Sequence, residues 1–510
     1  MSNIKKMGYI WGKNPSQQCN WLQFADDVAI VAHDTKSAQG LINLFTAWCD
    51  WAHFKVRIDK CCIFGALKKR GKYEQILPTV SIGAEHIPPV VFGEDFKYLG
   101  RYFNFTQNLN KIKAELIEKV TDLLKITDSL KIKPQTKIKI LSDYIPSQIS
   151  FHLRLYQLPI TWVSENLDAV SIRYVRFWLE TPISSCVKEW LITPKNKLGY
   201  GVASFSNLRE KLQLGKRIAL MKSKHDEIKL LWEDSSNNAI RYDSLINHNS
   251  IQASQKNLVT EQRQKATDHF LSLDYQGIIP RHVIEHISVS AIKSWTLVRS
   301  ALPGNLFNFV GKALLSQLPT NANLYRWGRS QDKNCPLCSQ PQTNKHVLSN
   351  CSNPAALSRY TERHDKVLEI ILSWLVPKAK PNWKIFADIN FNSVFSMQDL
   401  FVTLRPDIAI IIGNKINVLE LTICHETNLV KSKNYKLNKY KNIDACLRDA
   451  FRDYSVSVYT IETSTLGFIS NLNDFCGACR IDKPDSNIIR DIIVSTLHHT
   501  FHVYTMRNSE

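Results

Sequence analysis

The first hundred residues alternate short apolar runs with polar segments, a pattern typical of mixed α and β structure. Strand-like runs occur at VAIVA (28–32), CCIFGA (61–66), PPVVFG (88–93) and FKYLGRYF (96–103). One longer segment, SAQGLINLFTAWCDWA (37–52), has apolar residues at helical spacing. The pattern predicts a small sheet with one helix packed against it.

From about residue 106 the apolar residues recur with helical period, and a mainly helical region is predicted to reach about residue 330. Pro134 is expected to begin a further helix, and the polar segments 233–244 and 247–257 are expected to be loops. The first apolar stripe consists of Ile112, Leu116, Val120 and Leu123, while Lys111, Lys113, Lys119 and Lys125 lie largely off it.

Beyond residue 366 strands and helices alternate again. The run PDIAIIIGNKINVLELTIC (406–424) predicts a β-hairpin with its turn at Gly413 and Asn414. The run IVSTLHHTFHVYTMRN (493–508) is expected to lie in a terminal helix. The whole pattern predicts a multidomain α+β chain, and 510 residues suffice for three or four domains.

The charge of the chain narrows the choice of partner. It has 65 lysine and arginine residues against 46 aspartate and glutamate residues, a formal net charge of +19. The basic residues are spread along the chain in runs such as KIKPQTKIKIL (131–141). Such an excess suits a polyanion, most often nucleic acid, and a basic face kept for solubility is the alternative.

The sequence shows no targeting or membrane segment. Its first residues lack an apolar core of signal-peptide length, and no run approaches the ~20 apolar residues of a membrane span. We therefore expect an intracellular protein without a membrane partner. Its 12 cysteines are expected to be thiols or metal ligands and not disulfides.

The segment WLQFADDVAIVAHD (21–34) puts two adjacent carboxylates, Asp26 and Asp27, where the pattern predicts a hairpin. They repel each other unless a cation compensates them, and Mg²⁺ prefers oxygen ligands of this kind. In nucleotidyl transfer two such ions, about 4 Å apart, stabilise the attacking and leaving oxygens. A turn with both side chains in water is the alternative.

The segment CPLCSQPQTNKHVLSNC (335–351) spaces three cysteines and a histidine as Cys335-x2-Cys338-x7-His346-x4-Cys351. Three thiolates and one imidazole complete a tetrahedral Zn²⁺ shell without an open position, the arrangement of a structural site. Ordinary buried cysteines at this spacing are the alternative. A second zinc is physically possible near the C-terminus, where two cysteines precede two histidines one helical turn apart: Cys476, Cys479, His498 and His502.

A third group combines acidic and basic side chains around the predicted hairpin 406–424. Asp407 and Glu420 are separated by twelve residues, and on neighbouring strands they can hold Mg²⁺ over a scissile phosphate. A nearby lysine, Lys436 or Lys439, can stabilise the developing charge or orient the attacking water. An ordinary surface hairpin with acidic residues is the alternative.

Three N-terminal motifs, taken in their order along the chain, resemble the reverse transcriptase of non-LTR retrotransposons. FADD (24–27) is similar to motif C of the polymerase palm, VRIDKC (56–61) looks like the motif that follows, and FKYLGRYF resembles the primer grip. The resemblance implies Asp26 and Asp27 as Mg²⁺-binding catalytic residues, Lys60 near the leaving pyrophosphate, and nucleic-acid contacts by Tyr98, Leu99 and Gly100.

The C-terminal half resembles the R2-type elements of that class. The cysteine segment is similar to their CCHC zinc element, and RHDKVLEI (363–370) matches the bridge that follows. The motif RPDIAI, then VLELTICHETNL, then KLNKY, resembles their restriction-like endonuclease, a PD-(D/E)XK nuclease whose lysine lies on a helix after the second strand. This implies Asp407 and Glu420 as catalytic Mg²⁺ ligands and Glu426, Lys436 and Lys439 as supporting catalytic residues. It also implies Arg405 and Tyr440 as nucleic-acid-binding residues beside them, and Glu462 as a further member of the site.

The resemblance implies five successive parts: a partial reverse transcriptase palm (1–105), a helical thumb (106–205), a helical linker (206–330), the zinc element (331–365) and the endonuclease domain (366–510). Polymerases of this family need a third carboxylate and fingers strands upstream of FADD, where too few residues remain. We therefore expect a fragment of a longer reading frame or a decayed copy, and DNA synthesis by this chain alone is doubtful.

The implied function is target-primed reverse transcription, in which a metal-dependent DNA nick supplies the 3′-hydroxyl primer. The implied cofactors are structural Zn²⁺ and catalytic Mg²⁺ or Mn²⁺. The partners are the DNA target site and the element RNA, with a homodimer on DNA possible, and the place of action is the nucleus. A catalytically inactive, zinc-containing nucleic-acid-binding remnant is the alternative, and an unrelated interaction protein is a third reading.

Overall fold

The structure, a computed structural model, describes residues 7–10, 18–225, 228–229, 250–470 and 472–509. It is a mixed α/β chain with about 53% helix and 15% strand. The chain forms two compact units, each assembled from three separate segments: Met1–Leu123, Ile145–Leu167 and Phe205–Val259 in the first, and Leu124–Tyr144, Asp168–Ser204 and Thr260–Glu510 in the second. The predicted loop 233–244 lies outside the described residues, and the five-part division stays a prediction.

The strands of the N-terminal region form separate antiparallel ribbons instead of the single small sheet that the sequence predicts. The run PPVVFG forms no strand, only one isolated bridge between Ile63 and Pro89, because prolines lack the N–H that a ladder needs. The pairs are β1 (Tyr9–Ile10) with β2 (Gln18–Cys19), β3 (Trp21–Phe24) with β4 (Asp27–Ile30), β5 (Gly65–Lys69) with β6 (Lys72–Ile76), β7 (Ser81–Ile82) with β8 (Glu85–His86), and β9 (Phe96–Tyr98) with β10 (Arg101–Phe103).

The predicted N-terminal helix is confirmed as α1 (Thr35–Trp51). It begins where the Asp34 carboxylate accepts a hydrogen bond from the backbone N–H of Ser37 at 2.7 Å, which satisfies a free donor of the first turn. Its apolar face contributes Ile42 to a small buried cluster with Val80 and Ile87. The helix therefore holds one of the ribbons, although in the described residues no named strand pairs with a strand of another ribbon.

A run of helices follows, as the apolar period predicts. The buried row of its first member is Ile112, Leu116, Val120 and Leu124, and the predicted Leu123 is half-buried beside it. The helices are α2 (Asn110–Ser129), α3 (Pro134–Asp143), α4 (Ile145–Leu155), α5 (Ile160–Val163), α6 (Ala169–Trp178), α7 (Val187–Ile192), α8 (Phe205–Met221), α9 (Ile251–Ser272), α10 (Ile278–His286), α11 (Val289–Ala301), α12 (Gly304–Leu314) and α13 (Asn321–Arg326).

Two local predictions in this region have opposite outcomes. Helix α3 begins at Pro134 as expected, with the proline in its first turn. The loop expected over 247–257 is wrong from residue 251, where α9 begins. The Ser250 hydroxyl accepts a hydrogen bond from the Ala253 N–H at 2.9 Å, and Leu258 packs into a buried cluster with α8. The cap at Ser250 and the burial of Leu258 thus favour a helix here despite the polar composition of the segment.

A five-stranded mixed sheet forms the centre of the C-terminal region. Its strands are β11 (Lys384–Ala387), β12 (Phe395–Ser396), β13 (Ile408–Ile412), β14 (Lys415–Cys424) and β15 (Ser455–Ser464), in the order β12-β11-β13-β14-β15. The pairs β11–β13 and β13–β14 are antiparallel, whereas β12–β11 and β14–β15 are parallel. The predicted hairpin 406–424 is therefore confirmed, with Gly413 at its turn.

Helices cover this sheet and complete its core. Ile416 and Val418 of β14 pack in a buried cluster with Tyr440 and Ile443, and Glu420 continues the same row because side chains alternate along a strand. The flanking helices are α14 (Pro354–Leu375), α15 (Leu429–Lys439), α16 (Asn473–Cys479) and α17 (Ser486–Thr505); α17 confirms the predicted terminal helix. Helix α14 continues across residues 365 and 366, the predicted boundary between the zinc element and the endonuclease domain.

Candidate metal centres

The four side chains predicted to bind zinc lie together. Cys335, Cys338, His346 and Cys351 each offer a ligand atom, and these atoms all lie within 4.8 Å of one another. The Cys338 sulfur lies 3.3 Å from Nε2 of His346 and 3.7 Å from the Cys351 sulfur. Three sulfurs and one imidazole nitrogen at such distances form a group that can bind a zinc ion.

The backbone around these ligands is folded tightly. The Cys335 N–H donates to the Gln340 carbonyl at 2.7 Å, and the Ser339 N–H donates to the Cys335 carbonyl at 2.9 Å. Burial raises the pKa of the Cys351 thiol to about 12. Since zinc binds thiolates, binding must release protons and its affinity must fall as the pH falls.

Helix α14 begins directly beside the cysteine group. Asn353 caps it by accepting a hydrogen bond from the Ala355 N–H at 2.9 Å, and Pro354 occupies its first turn. The Tyr360 hydroxyl accepts from the Cys351 N–H at 3.2 Å and donates to the Val347 carbonyl at 2.9 Å. The first two turns of α14 are therefore built onto the loop that carries the ligands.

A row of carboxylates crosses the sheet at a second place. Asp407 precedes β13 and lies opposite Glu420 of β14, because Ile408 pairs with Leu419. The Asp407 N–H donates to Oε2 of Glu420 at 3.2 Å, and Oδ2 of Asp407 accepts from the Leu421 N–H at 2.6 Å. Sequence reasoning did not identify Asp388, which follows β11, and its N–H donates to the Asp407 carbonyl at 3.1 Å. Three neighbouring strands thus each bring a carboxylate to one end of the sheet.

Burial controls the charge of this row. The side chain of Glu420 is 2% exposed, and burial together with the charge of Asp407 raises its pKa, against the opposing charges of Lys436 and Lys439. Burial also raises the pKa of Asp388, with Asp407 adding to the effect. The row therefore concentrates negative charge in a poorly solvated place, an environment that favours a bound cation.

The predicted lysines lie on α15, as the resemblance implies, but they differ in their contacts. Lys436 forms an ion pair with Oε1 of Glu420. Lys439 donates to the Tyr440 hydroxyl at 3.0 Å, and that hydroxyl donates to the Arg405 carbonyl at 3.3 Å. Lys436 is therefore the lysine in contact with the carboxylates, while Lys439 and Tyr440 hold the segment that leads into Asp407.

Helix α14 supplies a residue that sequence reasoning missed. Nε2 of His364 lies 3.4 Å from Oδ2 of Asp407, and its Nδ1 lies 3.1 Å from Oδ1 of Asp365. Burial alone would lower the pKa of His364, but hydrogen bonds and charge from the two carboxylates outweigh it and raise the pKa to about 9. The only sequence signal was the adjacent His-Asp pair within RHDKVLEI.

Glu426 and Glu462 are buried but are not joined to the carboxylate row. Oε1 of Glu426 accepts hydrogen bonds from the Thr465 hydroxyl at 2.9 Å and the Leu466 N–H at 2.8 Å. Glu462 pairs along the strand with Thr422 and its N–H donates to the Ser470 hydroxyl at 2.8 Å. In the described residues, no hydrogen bond or ion pair joins either carboxylate to Asp407 or Glu420. Glu426 serves the turn after β15 in this structure.

The two polymerase-like aspartates lie at the tip of a ribbon. Asp26 and Asp27 are exposed at the β3–β4 turn, and Ala25 in that turn has a φ of 56°. Tyr98 approaches this ribbon: its hydroxyl donates to the Leu22 carbonyl at 3.5 Å, and burial and the charge of Asp27 raise its pKa. Lys60 lies in a short 3-10 turn, Ile58–Lys60, and no described ion pair joins it to either aspartate.

The primer-grip resemblance falls on a tight hairpin. Leu99 and Gly100 form the two-residue turn between β9 and β10, with φ values of 47° and 76°. Positive φ at both positions is the requirement of a type I′ turn. A Cβ on Gly100 would lie 3.2 Å from the Phe151 ring. The local backbone thus explains the glycine, and the predicted nucleic-acid contacts stay a prediction.

The proposed second zinc site is not assembled. Cys476 and Cys479 are buried in α16, whereas His498 and His502 are exposed on α17. The groups of three or more metal-ligating side chains found in the described part of the chain do not include these four residues. None of the helices described here has both the length and the apolar character needed to cross a membrane.

No family model matches the chain, and no curated protein matches it at a significant level.

Proposed function

We propose that the C-terminal region is a metal-dependent DNA endonuclease of the restriction-like type, similar to that of R2-type retrotransposon proteins. The observation that carries the proposal is the juxtaposition of Asp407 and Glu420 with Lys436 on the covering helix. Two carboxylates on adjacent strands with a lysine beside them are the parts that metal-assisted phosphodiester hydrolysis needs. The zinc element and the net charge of +19 add support for nucleic acid as the substrate.

Asp407 and Glu420 would hold Mg²⁺ or Mn²⁺, which supplies charge neutralisation at the scissile phosphate. Lys436 sits where it can orient the attacking water or stabilise the leaving oxygen. His364 positions Asp407 by contacting one of its carboxylate oxygens. Tyr440 fixes the backbone just before Asp407 through the Arg405 carbonyl.

The cysteine group would hold a structural Zn²⁺ in this proposal. Its four ligands leave no position open for substrate, so its contribution is to order the segment from which α14 starts. The purified chain should contain at least one equivalent of zinc, lost in Cys338→Ser.

Nicking of supercoiled plasmid tests the endonuclease. We expect the purified chain to convert supercoiled to open-circular DNA with Mg²⁺ or Mn²⁺, and Asp407→Asn to reduce the rate to background while keeping the side-chain volume. Asp444→Asn is the matched control, because Asp444 is an exposed aspartate of the same region. An Asp407→Asn protein as active as the parent would reject the assignment.

The same experiment separates the alternative function. A zinc-containing binding remnant would bind nucleic acid with a steep salt dependence but would not cleave under any divalent metal. Metal-dependent cleavage that Asp407→Asn removes excludes that alternative.

For the polymerase-like N-terminal region, we do not propose catalytic activity. In the described residues, Asp26 and Asp27 belong to no group of three metal-ligating side chains, so we propose no DNA synthesis by this chain alone. In the full family protein, the nick would prime copying of the element RNA at the target site, in the nucleus. A primer-extension assay that shows synthesis by the isolated chain would contradict this restriction.

A further inference from the structure

Helix α10 carries a group of side chains that the proposed nuclease does not use. His282, Glu285 and His286 each offer one ligand atom, and these three atoms lie within 4.8 Å of one another. The two imidazole rings are 5.9 Å apart between centroids, and Nε2 of His286 lies 3.8 Å from Oε2 of Glu285. One ion between them could contact all three side chains.

Helical spacing explains why the three side chains meet. Positions 282, 285 and 286 are related by three and four residues, which places them on one face of a helix. The neighbouring row, Ile279 and Val283, is buried in the core. Because that row anchors the helix, the ligand row keeps a fixed orientation, which is the condition for a preorganised site.

The surroundings also favour a cation. His286 is the last residue of α10, and the carbonyl end of a helix carries partial negative charge. Within the described residues, no hydrogen bond occupies the imidazole of His282 or His286. The Glu285 side chain is 69% exposed and that of His286 is 31% exposed, so an ion can reach the group from solvent.

We propose that His282, Glu285 and His286 form a binding site for a divalent transition metal, with Zn²⁺ as the best-fitting ion. Two imidazoles and one carboxylate are a recognised zinc ligand set, and three protein ligands leave one coordination position open. This distinguishes the site from the closed cysteine group. The ion would also stabilise the last turn of α10, which packs against the Glu426–Asn428 turn.

Calorimetric titration with Zn²⁺ tests the site on the full chain carrying Asp407→Asn, which removes a ligand of the proposed nuclease centre, after the cysteine group has been loaded with zinc and excess metal removed. We expect one further, weaker equivalent. His282→Gln and His286→Gln should each weaken it by at least about 100-fold, since loss of a ligand should cost no less than loss of its supporting contacts. Because both histidines lie outside the proposed nuclease centre, this result does not depend on DNA cleavage.

Two variants serve as controls. His269→Gln removes a single exposed histidine from the end of another helix, and His498→Gln breaks the exposed His498/His502 pair; both should leave the weaker equivalent unchanged. Far-UV circular dichroism should show the same helix content in all variants, since the substituted side chains are partly exposed. The absence of a second equivalent, its persistence in both α10 variants, or its loss in His498→Gln would overturn the proposal.

Discussion

Glu420 is a carboxylate held almost entirely out of water, and the ammonium group of Lys436 is its counter-charge. The side chain of Lys436 is 23% exposed against 2% for Glu420, so the lysine can reach solvent while the carboxylate cannot. A buried charge that loses its partner costs far more than the pair itself contributes. At the scale of the residue, this pair links stability and the proposed chemistry.

Substitution of Lys436 by methionine tests how much the loss of its partner charge destabilises the buried Glu420. We expect Lys436→Met to lower the free energy of unfolding by about 2 kcal/mol, because the buried Glu420 carboxylate loses its counter-charge. Urea denaturation followed by circular dichroism measures the change. Equal unfolding free energies for the variant and the parent would show that the ion pair with Lys436 does not stabilise the fold.

A double variant separates stability from activity. Glu420→Gln in the Lys436→Met background removes the uncompensated charge, and its amide oxygen can still accept from the Asp407 N–H. We expect most of the lost stability to return while plasmid nicking stays at background. Recovery of nicking together with stability would assign both residues a purely structural role.

Spacing within one hairpin was enough to predict that Asp407 and Glu420 would meet, because register follows from the turn at Gly413. His364 could not be found in this way. Its contact with Asp407 depends on how α14 packs on the sheet, and no local pattern encodes that packing. Asp388 was missed for a related reason: its strand precedes the motif, and the pairing of β11 with β13 is a non-local choice.

At the scale of the element, two glycines show how backbone conformation alone changes stability. Gly413 has a φ of 58° in the β13–β14 turn, and Gly477 lies inside α16. A Cβ at either position would meet no atom within 4 Å. Steric crowding is therefore excluded at both, and only the backbone angle differs.

We expect Gly413→Ala to destabilise the protein by about 1–2 kcal/mol, since an L-residue is strained at positive φ. Gly477→Ala should instead stabilise it by about 0.4–1 kcal/mol, because alanine narrows the unfolded ensemble at a helical position. Chemical denaturation of both variants measures the two changes in the free energy of unfolding. Changes of the same sign would show that backbone angle is not the deciding factor.

Elements defined by local sequence were predicted well, and their assembly was not. The hairpin of β13 and β14, helix α1 and the start of α3 follow from turn residues, apolar period and a proline. The joining of the N-terminal ribbons into a sheet was wrong, because strand-like composition does not specify which strand lies beside which. For the same reason, the order of the strands in the five-stranded sheet could not be predicted.

For the molecule as a whole, the dominant long-range property is its net charge of +19. If duplex DNA is the ligand, binding releases condensed counter-ions for each phosphate neutralised. We expect affinity to fall by roughly 10³-fold or more between about 50 and 200 mM salt, as for proteins with six or more phosphate contacts. Fluorescence anisotropy with labelled duplex measures the slope.

The Asp407→Asn variant is the control for that measurement, since it should bind with the same slope while cleavage is lost. An affinity that hardly changes over this range would indicate that the basic residues serve solubility, the alternative that composition alone left open.

Helix α14 joins the two candidate centres by its length. Tyr360 contacts the cysteine loop and His364, one turn later, contacts Asp407. Local unfolding of a helix spreads from its ends, so an ion bound at the cysteine loop would slow hydrogen exchange at the amides of the next turn. Zinc binding should then slow hydrogen exchange at the amides around His364. A chain depleted of zinc would lose the ordering of its proposed cleavage centre before it lost its fold.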